Sequence, residues 1–224
     1  MEINLPKERA ISLSEPDESE MLIKKKPLYD VAKRAFDITA SILGLTILSL
    51  PMAAISLVIV MDDPGNPIFV QERVGMNGEK FKIYKFRTMV KNAEKLRHNK
   101  EFESQNQSDG PLFKIKNDKR ILKSGNFLRK LSLDELPQLI NILKGDMSVI
   151  GPRPFIPEEQ KELISERLLV KPGLSCYWQI QHTPEMPIDE QMELDLKYIR
   201  ERSMTTDLKL ILKTFGIIIH GRNY

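Results

Sequence analysis

An uncharged segment from Ile38 to Met61 constrains this chain more than any other feature of its sequence. At about 1.5 Å of rise per residue, about 24 helical residues reach roughly 36 Å, whereas the hydrocarbon core of a bilayer is ~30 Å thick. The segment is therefore long enough to cross a membrane as a helix.

Proline interrupts this segment near its middle. Pro51 removes a helical hydrogen bond and kinks the axis, and Ser49 close by can satisfy part of the freed backbone. Basic residues flank the segment on both sides, so the positive-inside rule gives no clear asymmetry; they are Lys24, Lys25, Lys26, Lys33 and Arg34 before it and Lys80, Lys82, Lys85 and Arg87 after it. These flanks suit a re-entrant helix that is bent at Pro51 and has both ends on the cytosolic side. A simple spanning helix remains the alternative.

Outside this segment the composition is that of an ordinary globular body. With 34 Lys and Arg against 31 Asp and Glu, the net charge is only +3, which does not call for a nucleic-acid partner. The single cysteine, Cys176, cannot form an internal disulfide and fits a reducing compartment. Residues 1–26 are predicted to be a flexible acidic lead-in with no assigned function. They do not form a signal peptide, because the apolar run comes too late.

The pattern predicts a mostly helical α/β chain, with a membrane-embedded segment over residues 27–62 and a cytosolic-face domain over residues 63–224. Two extended runs, Ile68–Val74 and Lys80–Met89, flank Asn77-Gly78 and predict a small β-hairpin. Helices are predicted at about Asp134–Lys144, Pro157–Leu169 and Asp189–Arg202. A final amphipathic stripe either packs on a core or lies on a membrane surface; its residues are Leu208, Ile211, Leu212, Phe215, Ile218 and Ile219.

Two adjacent carboxylates at a predicted helix start form the central motif. Asp134 and Glu135 stand in SLDELPQL, residues 132–139. One interpretation is a capping box, in which Ser132 caps the helix and Glu135 bonds back to it. The other is chemical: a carboxylate there lies where backbone N–H groups can hold a phosphate, and its neighbour can hold a divalent ion. Aspartate can attack phosphorus when a metal and cationic side chains offset the charge of a diphosphate.

Two arginines near the motif can supply such positive charge. Arg129 lies five residues before Asp134. The sequence GPRP, residues 151–154, sets Arg153 between two prolines that restrict its backbone, which favours a fixed anion clamp over an ordinary surface arginine. Weaker candidates are His182, which is more often simply exposed in such a loop, and Asp195, which either approaches the site or is a solvated helix residue. Trp178 lies either at the lipid headgroups or in the core.

Six ordered motifs together resemble the bacterial sugar transferase family, the monotopic polyprenyl-phosphate phosphoglycosyl transferases. They are KRAFD (33–37), the apolar segment with Pro51, QERVG with KFRTM (71–75 and 85–89), LSLDELPQL (131–139), NILKGDMSVIGPRP (141–154) and KPG (171–173). The resemblance covers about residues 27–224. In one departure from the family, Leu50 stands directly before Pro51, where many relatives have serine, and serine comes one residue earlier, at Ser49.

The resemblance implies a re-entrant membrane helix, a catalytic domain at the cytoplasmic face of a bacterial cell membrane, and dependence on Mg²⁺ (or Mn²⁺). It implies that Asp134 is the nucleophile of a covalent phosphosugar intermediate and that Glu135 is its partner and a metal ligand. The substrate-binding cations that it implies are Arg129, Arg153, Arg87 and Lys171.

The implied reaction moves a hexose 1-phosphate from a UDP-sugar to undecaprenyl (polyprenyl) phosphate and releases UMP, as a first step towards exopolysaccharide, capsule or O-antigen glycans. Membrane lipid, a homodimer and downstream glycosyltransferases are the further partners expected. The length predicts a catalytic domain without the multi-span portion that larger relatives carry at the N-terminus.

Two other classes of function remain open. A non-catalytic membrane adaptor would bind nucleotide sugar or partner glycosyltransferases, although the intact Asp134 and Glu135 argue against it. An ordinary glycosyltransferase would release UDP rather than UMP and would be expected to carry an Asp-X-Asp motif, which this sequence lacks.

Overall fold

The computed structural model describes residues 25–93, 115, 118–181 and 186–219. The lead-in up to residue 24 and His182 lie outside the described residues. The described chain is mostly helical, as predicted, and contains two small two-stranded sheets, of which only the hairpin was predicted. Its elements are α1 (Pro27–Ile47), α2 (Ser49–Asp62), β1 (Ile68–Val74), β2 (Lys80–Phe86), α3 (Lys123–Lys130), α4 (Gln138–Lys144), β3 (Ser148–Ile150), α5 (Pro157–Gln160), β4 (Gly173–Ser175), α6 (Ile188–Glu201) and α7 (Met204–Ile219).

The uncharged segment forms two helices rather than one. α1 and α2 meet at Leu48 and are bent by 61°. The predicted bend is confirmed, but its centre is Leu48 and not Pro51, which occupies the third position of α2. The first N–H groups of a helix have no partner within that helix, so proline is tolerated there. Ser49 Oγ donates to the carbonyl of Thr46 (2.8 Å), which is one residue before the carbonyl of Ile47 that Pro51 leaves without a helical donor.

Both helices of the bent pair expose large apolar side chains. Within the described chain no single helix is long and apolar enough to cross a membrane, whereas α1 and α2 together reach that length and composition. The exposed side chains are Leu28, Val31, Ile42, Leu43 and Ile47 on α1 and Leu50, Leu57, Val58 and Met61 on α2. A contiguous apolar surface of this kind marks a site that binds a membrane or another protein.

The opposite side of α1 is fixed to the body of the protein by a buried carboxylate. Asp37 is 2% exposed and accepts hydrogen bonds from Ser148 Oγ (3.1 Å) and from the N–H of Val149 (3.0 Å), both on β3. Further along the helix, Gly44 lets α1 approach α4 closely, because a Cβ at this position would lie 3.0 Å from Leu139 Cδ1.

Two basic side chains of α1 complete this attachment. Arg34 donates to the carbonyls of Ile142 (2.6 Å) and Leu143 (2.9 Å) at the end of α4, where helix carbonyls lack partners. Lys33 forms an ion pair of 2.7 Å with the buried Asp207 of α7. The KRAFD sequence therefore joins the bent pair to α4, α7 and β3.

Three apolar clusters lie beneath these contacts. One joins α2, β2 and α3, a second joins α1, β2 and α4, and a third joins β3, α6 and α7. Their buried members are Ile59, Phe86, Leu122 and Leu128 in the first, Ile83, Leu139, Ile142 and Met147 in the second, and Ile150, Tyr198 and Leu210 in the third. β2 contributes to two clusters and is thus central to the fold.

The hairpin is antiparallel, with Ile68 opposite Phe86. Asn77 (φ 57°) and Gly78 (φ 79°) both have positive φ in the turn, which explains why Asn-Gly is so strong a hairpin signal. β2 ends at Phe86 rather than at Met89. The N–H of Arg87 still donates to the carbonyl of Pro67 (2.7 Å), but Pro67 has no N–H with which to return the bond.

Among the predicted helices, Asp189–Arg202 agrees with α6 to within one residue, whereas Pro157–Leu169 is wrong. The chain forms only the short α5 and, later, a 3-10 turn at Glu166–Leu169. Gln160 and Arg167 turn inwards and bond each other at 2.7 Å. Such tertiary contacts outweigh local helix propensity.

The apolar stripe of the last helix is divided between the outer surface and the core. Leu208, Leu212 and Phe215 are all exposed, with Leu212 71% exposed, so this part of the stripe faces outwards. The core is contacted through Ile211 of the stripe and through Leu210, which is 2% exposed and lay outside the predicted stripe.

β3 and β4 form a parallel pair. Beside it, the backbones of Gly151 and Gly173 lie in close contact. Ser148 pairs with Gly173, and the N–H of Gly151 donates to the carbonyl of Ser175 (3.1 Å). A Cβ on Gly173 would lie 2.0 Å from the backbone nitrogen of Gly151, so no side chain fits at residue 173.

We therefore expect Gly173→Ala to lower the free energy of unfolding by about 1–3 kcal/mol or more, because backbone and not a flexible side chain must move. For a chain of this size Tm should fall by about 2–4 °C per kcal/mol, measured by thermal unfolding of the detergent-solubilised protein. Gly216→Ala in α7 is the matched control, since a Cβ there meets nothing within 4 Å. An equal loss of Tm in the control would contradict the packing explanation.

Candidate active site

Asp134 and Glu135 lie on a 3-10 turn, Leu133–Glu135, that precedes α4. The predicted start of an α-helix at Asp134 is therefore corrected to Gln138. Ser132 has a positive φ of 52° and makes no side-chain cap hydrogen bond. The capping-box interpretation is wrong, because the side chain of Glu135 turns away from the turn and towards the hairpin.

Glu135 is enclosed by positive charge. Its Oε1 accepts a hydrogen bond from Lys85 Nζ (2.7 Å) and lies 3.5 Å from Arg153 Nη1. Burial alone would raise the pKa of Glu135, but Lys85 and Arg153 outweigh burial and lower this pKa to about 2. The carboxylate of Glu135 consequently remains ionised throughout the neutral range.

Asp134 has the opposite shift. Its partial burial, and next the negative charge of Glu135, raise the pKa of Asp134 above its ordinary value, while Lys85, Arg129 and Arg153 act to lower it. Two neighbouring carboxyl groups thus have pKa values that are driven apart, a pattern typical of groups with different chemical roles.

Lys85 is a functional residue that the motif analysis did not single out. Burial lowers the pKa of its ammonium, and the charge of Glu135 opposes that shift. A signal was present in the sequence: Lys85 follows Ile83 at a spacing of two, and so falls on the face of β2 that packs against α4. A lysine on a core-facing strand position requires a buried acidic partner.

Both arginines predicted from the motif lie near the two carboxylates. Arg129 is in the last turn of α3, where its Nε donates to Thr88 Oγ1 (2.9 Å), and its charge acts on Asp134. Arg153 contacts Glu135 and also lies over the ring of Trp178, 5.8 Å from the ring centroid. Neither of the two locations predicted for Trp178 included this contact.

Two further predicted substrate contacts have other partners in the structure. Arg87 donates to the carbonyl of Asn66 (2.8 Å) and to the carboxylate and carbonyl of Asp63, and so anchors the chain after α2. Lys171 Nζ lies near Gly145 at the end of α4, where burial and the charge of Arg34 lower its pKa. The substrate-binding roles of Arg87 and Lys171 stay predictions.

A small pocket opens beside the charged cluster. It is lined by Arg73, Ile83, Lys85, Glu135, Gln138, Arg153, Pro154, Gly173 and Leu174. Gln138 is 2% exposed, and its side-chain amide helps to lower the pKa of the adjacent Glu135 carboxyl group.

The two carboxylates suit a magnesium ion only in company with a substrate. Within the described ranges no group of three or more His, Cys, Asp or Glu side chains is close enough together to hold a metal ion. Mg²⁺ is commonly held by one or two carboxylates together with substrate phosphates and water, which matches Asp134 and Glu135 beside a bound diphosphate.

Two other polar residues are buried behind the site rather than in it. Asp195, predicted either to approach the site or to be solvated, is 1% exposed and pairs with Arg167. Burial raises the pKa of Asp195 to about 6, although Arg167 acts to lower it. The thiol of Cys176 is buried, and burial raises its pKa, which disfavours a reactive thiolate.

Comparison with known proteins identifies the family to which this chain belongs. A model of the family described as bacterial sugar transferase matches residues 28–221. This chain belongs to the bacterial sugar transferase family. Residues 33–37, the carboxylate pair and the GPRP loop all fall within the matched region of this sugar transferase.

Individual relatives support the same family. Galactosyl transferase CpsE of Streptococcus agalactiae is 44% identical over 196 residues, which are 85% of this chain and 43% of that protein. Undecaprenyl-phosphate galactose phosphotransferase of Salmonella typhimurium is 37% identical over 195 residues, 84% of this chain and 40% of that protein. Exopolysaccharide production protein ExoY of Rhizobium meliloti is 35% identical over 205 residues, which are 88% of this chain and 89% of that protein. The chain thus spans less than half the length of the first two.

The charged cluster predicts how the pKa of Asp134 responds when the positive charge of Lys85 is removed. Lys85→Met removes a positive charge that favours the ionised form of Asp134, so the pKa of Asp134 should rise, by about one unit or more. The measurement is an NMR titration of ¹³C-labelled aspartate carboxyl groups. Lys82→Met is the control, because Lys82 is exposed on the same strand. A pKa of Asp134 that is equal in wild type and Lys85→Met would contradict this account.

Proposed function

We propose that this chain transfers a hexose 1-phosphate from a UDP-sugar to undecaprenyl (polyprenyl) phosphate and releases UMP. The observation that carries the proposal is the partly buried pair Asp134 and Glu135 among three cationic side chains, Lys85, Arg129 and Arg153, in a chain of the bacterial sugar transferase family. Relatives named as undecaprenyl-phosphate sugar phosphotransferases support the choice of reaction.

In the first half-reaction, a carboxylate oxygen of Asp134 attacks the phosphorus that carries the sugar. The bond from this phosphorus to the bridging oxygen of the diphosphate breaks, and the electron pair stays on that oxygen, so UMP leaves. The phosphosugar remains on Asp134 as an acyl phosphate. The raised pKa of Asp134 makes its carboxylate more basic than that of an exposed aspartate, which favours attack.

In the second half-reaction, a phosphate oxygen of polyprenyl phosphate attacks the same phosphorus. The bond between this phosphorus and Asp134 breaks, the carboxylate is regenerated, and the product is a polyprenyl diphosphate sugar. Because one side chain serves as nucleophile and then as leaving group, the two substrates need not occupy the site together.

The neighbouring residues offset charge in both steps. Lys85 and Arg153 hold Glu135 ionised next to Asp134, and with Arg129 they provide positive charge for the diphosphate. When bound by Glu135, Asp134 and the diphosphate, Mg²⁺ would neutralise further negative charge on the phosphates.

We also propose that the bent pair α1–α2 lies in the bacterial cell membrane as a re-entrant helix, with the active site at the cytoplasmic face. The exposed apolar side chains of both helices support this, and so do Phe127 on α3 and the outward stripe of α7, whose Phe215 is 59% exposed. A lipid-borne phosphate then reaches Asp134 from the membrane surface. The products would enter exopolysaccharide, capsule or O-antigen synthesis, where downstream glycosyltransferases, and a second copy in a homodimer, are the proposed partners.

Asp134→Asn should abolish UMP release, by about a thousandfold or more, because an amide cannot form the acyl phosphate. Glu135→Gln should be severely impaired as well. The assay is UMP release from a panel of UDP-sugars with polyprenyl phosphate in detergent, together with mass spectrometry of the enzyme without acceptor, which should detect a phosphosugar on Asp134.

Asp189→Asn is the control, since it removes an exposed carboxylate from α6. UMP release that persists in Asp134→Asn would rule out the covalent mechanism. A wild-type protein that binds UDP-sugar but releases neither UMP nor UDP would favour the adaptor alternative, and release of UDP would indicate simple glycosyl transfer.

The break at Leu48 predicts the effect of restoring a continuous helix. Pro51→Ala supplies an N–H donor for the carbonyl of Ile47, and combination with Ser49→Ala removes the bond to Thr46. The straightened segment should cross the bilayer and place its flanks on opposite sides, with loss of UMP release although Asp134 is intact.

Cysteine labelling before Lys33 and after Gln71 in membrane vesicles measures the topology. Leu57→Ala, which changes an exposed apolar side chain but leaves the break intact, should keep both flanks on one side. Unchanged topology and full activity in Ser49→Ala/Pro51→Ala would overturn the proposal that this break sets the membrane geometry.

A further inference from the structure

The loop that carries Arg153 is held through four consecutive carbonyls. Each accepts a hydrogen bond from another part of the chain: Pro152 from the N–H of Gly173 (2.9 Å), Arg153 from Arg167 Nη2, Pro154 from Arg73 Nη1 (3.3 Å) and Phe155 from the N–H of Val74 (2.9 Å). Two residues of this loop are prolines and have no N–H to donate, so its carbonyls are its main means of attachment.

Arg167 is the most deeply enclosed of these donors. Its side chain is 1% exposed; Nε and Nη2 donate to Asp195 Oδ2 (3.0 and 2.8 Å), and Nη1 donates to Gln160 Oε1 (2.7 Å). The guanidinium also lies 4.5 Å from the ring centroid of Phe155. Arg167 does not line the pocket beside Glu135. It cannot contact a substrate there, and any influence on chemistry must pass through the groups that it holds.

A contribution to stability does not by itself explain why Arg167 and Asp195 form a buried ion pair here. Desolvation of two charges costs as much as their attraction returns, and apolar side chains of similar volume are often equally stabilising. What an apolar replacement would lack is a directed donor to the carbonyl of Arg153. The guanidinium supplies this donor while its other N–H groups are fixed by Asp195 and Gln160.

We propose that Arg167, oriented by Asp195, is a positioning residue that fixes the backbone of Arg153 so that the Arg153 guanidinium meets the diphosphate of the nucleotide sugar. The inference rests on the proposed function. Arg153 contributes positive charge beside Glu135, and a displacement of about 1 Å in such a group can cost up to a hundredfold in rate. Arg167 thus acts on substrate binding from behind the loop.

The test is a double-mutant cycle between Arg167 and Arg153, measured as kcat/KM and KM for the UDP-sugar in the UMP-release assay on the full chain. Arg167→Lys keeps the charge opposite Asp195 but loses the planar fork of donors. It should lower kcat/KM by about tenfold to hundredfold, largely through a higher KM. In the Arg153→Ala background the same substitution should have little further effect, because the group that it positions is gone.

Two controls separate positioning from stability. Ile199→Ala removes a buried side chain one turn beyond Asp195 on α6 and should lower Tm without raising KM. Arg167→Met combined with Asp195→Val replaces the ion pair by apolar side chains, and it should recover Tm relative to Arg167→Met alone while kcat/KM stays low. The proposal is overturned if Arg167→Lys has the same effect in both Arg153 backgrounds, or if kcat/KM recovers together with Tm.

Failure of the proposed function would have a different signature. In that case wild type would release no UMP, and the same cycle can be measured as the Kd for UDP-sugar by calorimetry. A rise in Kd for Arg167→Lys that vanishes in the Arg153→Ala background supports positioning without turnover. Equal rises in both backgrounds overturn it.

Discussion

A carboxylate as buried as that of Glu135 must meet positive charge, because a lone buried ion costs several kcal/mol. Lys85 reaches Glu135 from β2, and Arg153 reaches it from the loop after β3. The hairpin, the 3-10 turn and the GPRP loop must therefore all be in place before the charges balance. Asp134 acquires its raised pKa from the same arrangement, since burial and its ionised neighbour both act on it. The site therefore forms only when the fold around it is complete.

The sequence predicted those elements whose local signals agree with their tertiary contacts. The hairpin follows from Asn77-Gly78, and α6 from its helical periodicity. The uncharged segment predicted a bend, but proline marks the first turn of a new helix, and the break itself falls at Leu48, which no local signal distinguishes. The helix predicted over residues 157–169 failed because Arg167 is drawn inwards by Asp195, a partner 28 positions away that local periodicity cannot reveal.

The site residues, too, can be separated into those that local motifs reveal and those that depend on tertiary contacts. Asp134, Glu135, Arg129 and Arg153 were available from motifs, because adjacent carboxylates and a proline-flanked arginine are unusual in themselves. Lys85 required knowledge of which strand face is buried, and Gln138 required knowledge of which side chains surround Glu135. The capping-box alternative for Ser132 and Glu135 was locally sound. It failed only because Lys85 offers Glu135 a stronger, charged partner than a backbone N–H does.

The two hydrogen bonds that Asp37 accepts from β3 also decide how this protein can be handled. α1 exposes large apolar side chains, so its removal is one way to seek a water-soluble fragment. Here its removal would leave Ser148 and Val149 without their acceptor and would uncover the apolar cluster formed with α4. The helix supplies part of the interior as well as an exposed apolar surface. Removal of α1 would therefore be expected to yield an aggregating product, and the intact chain is the preparation to use.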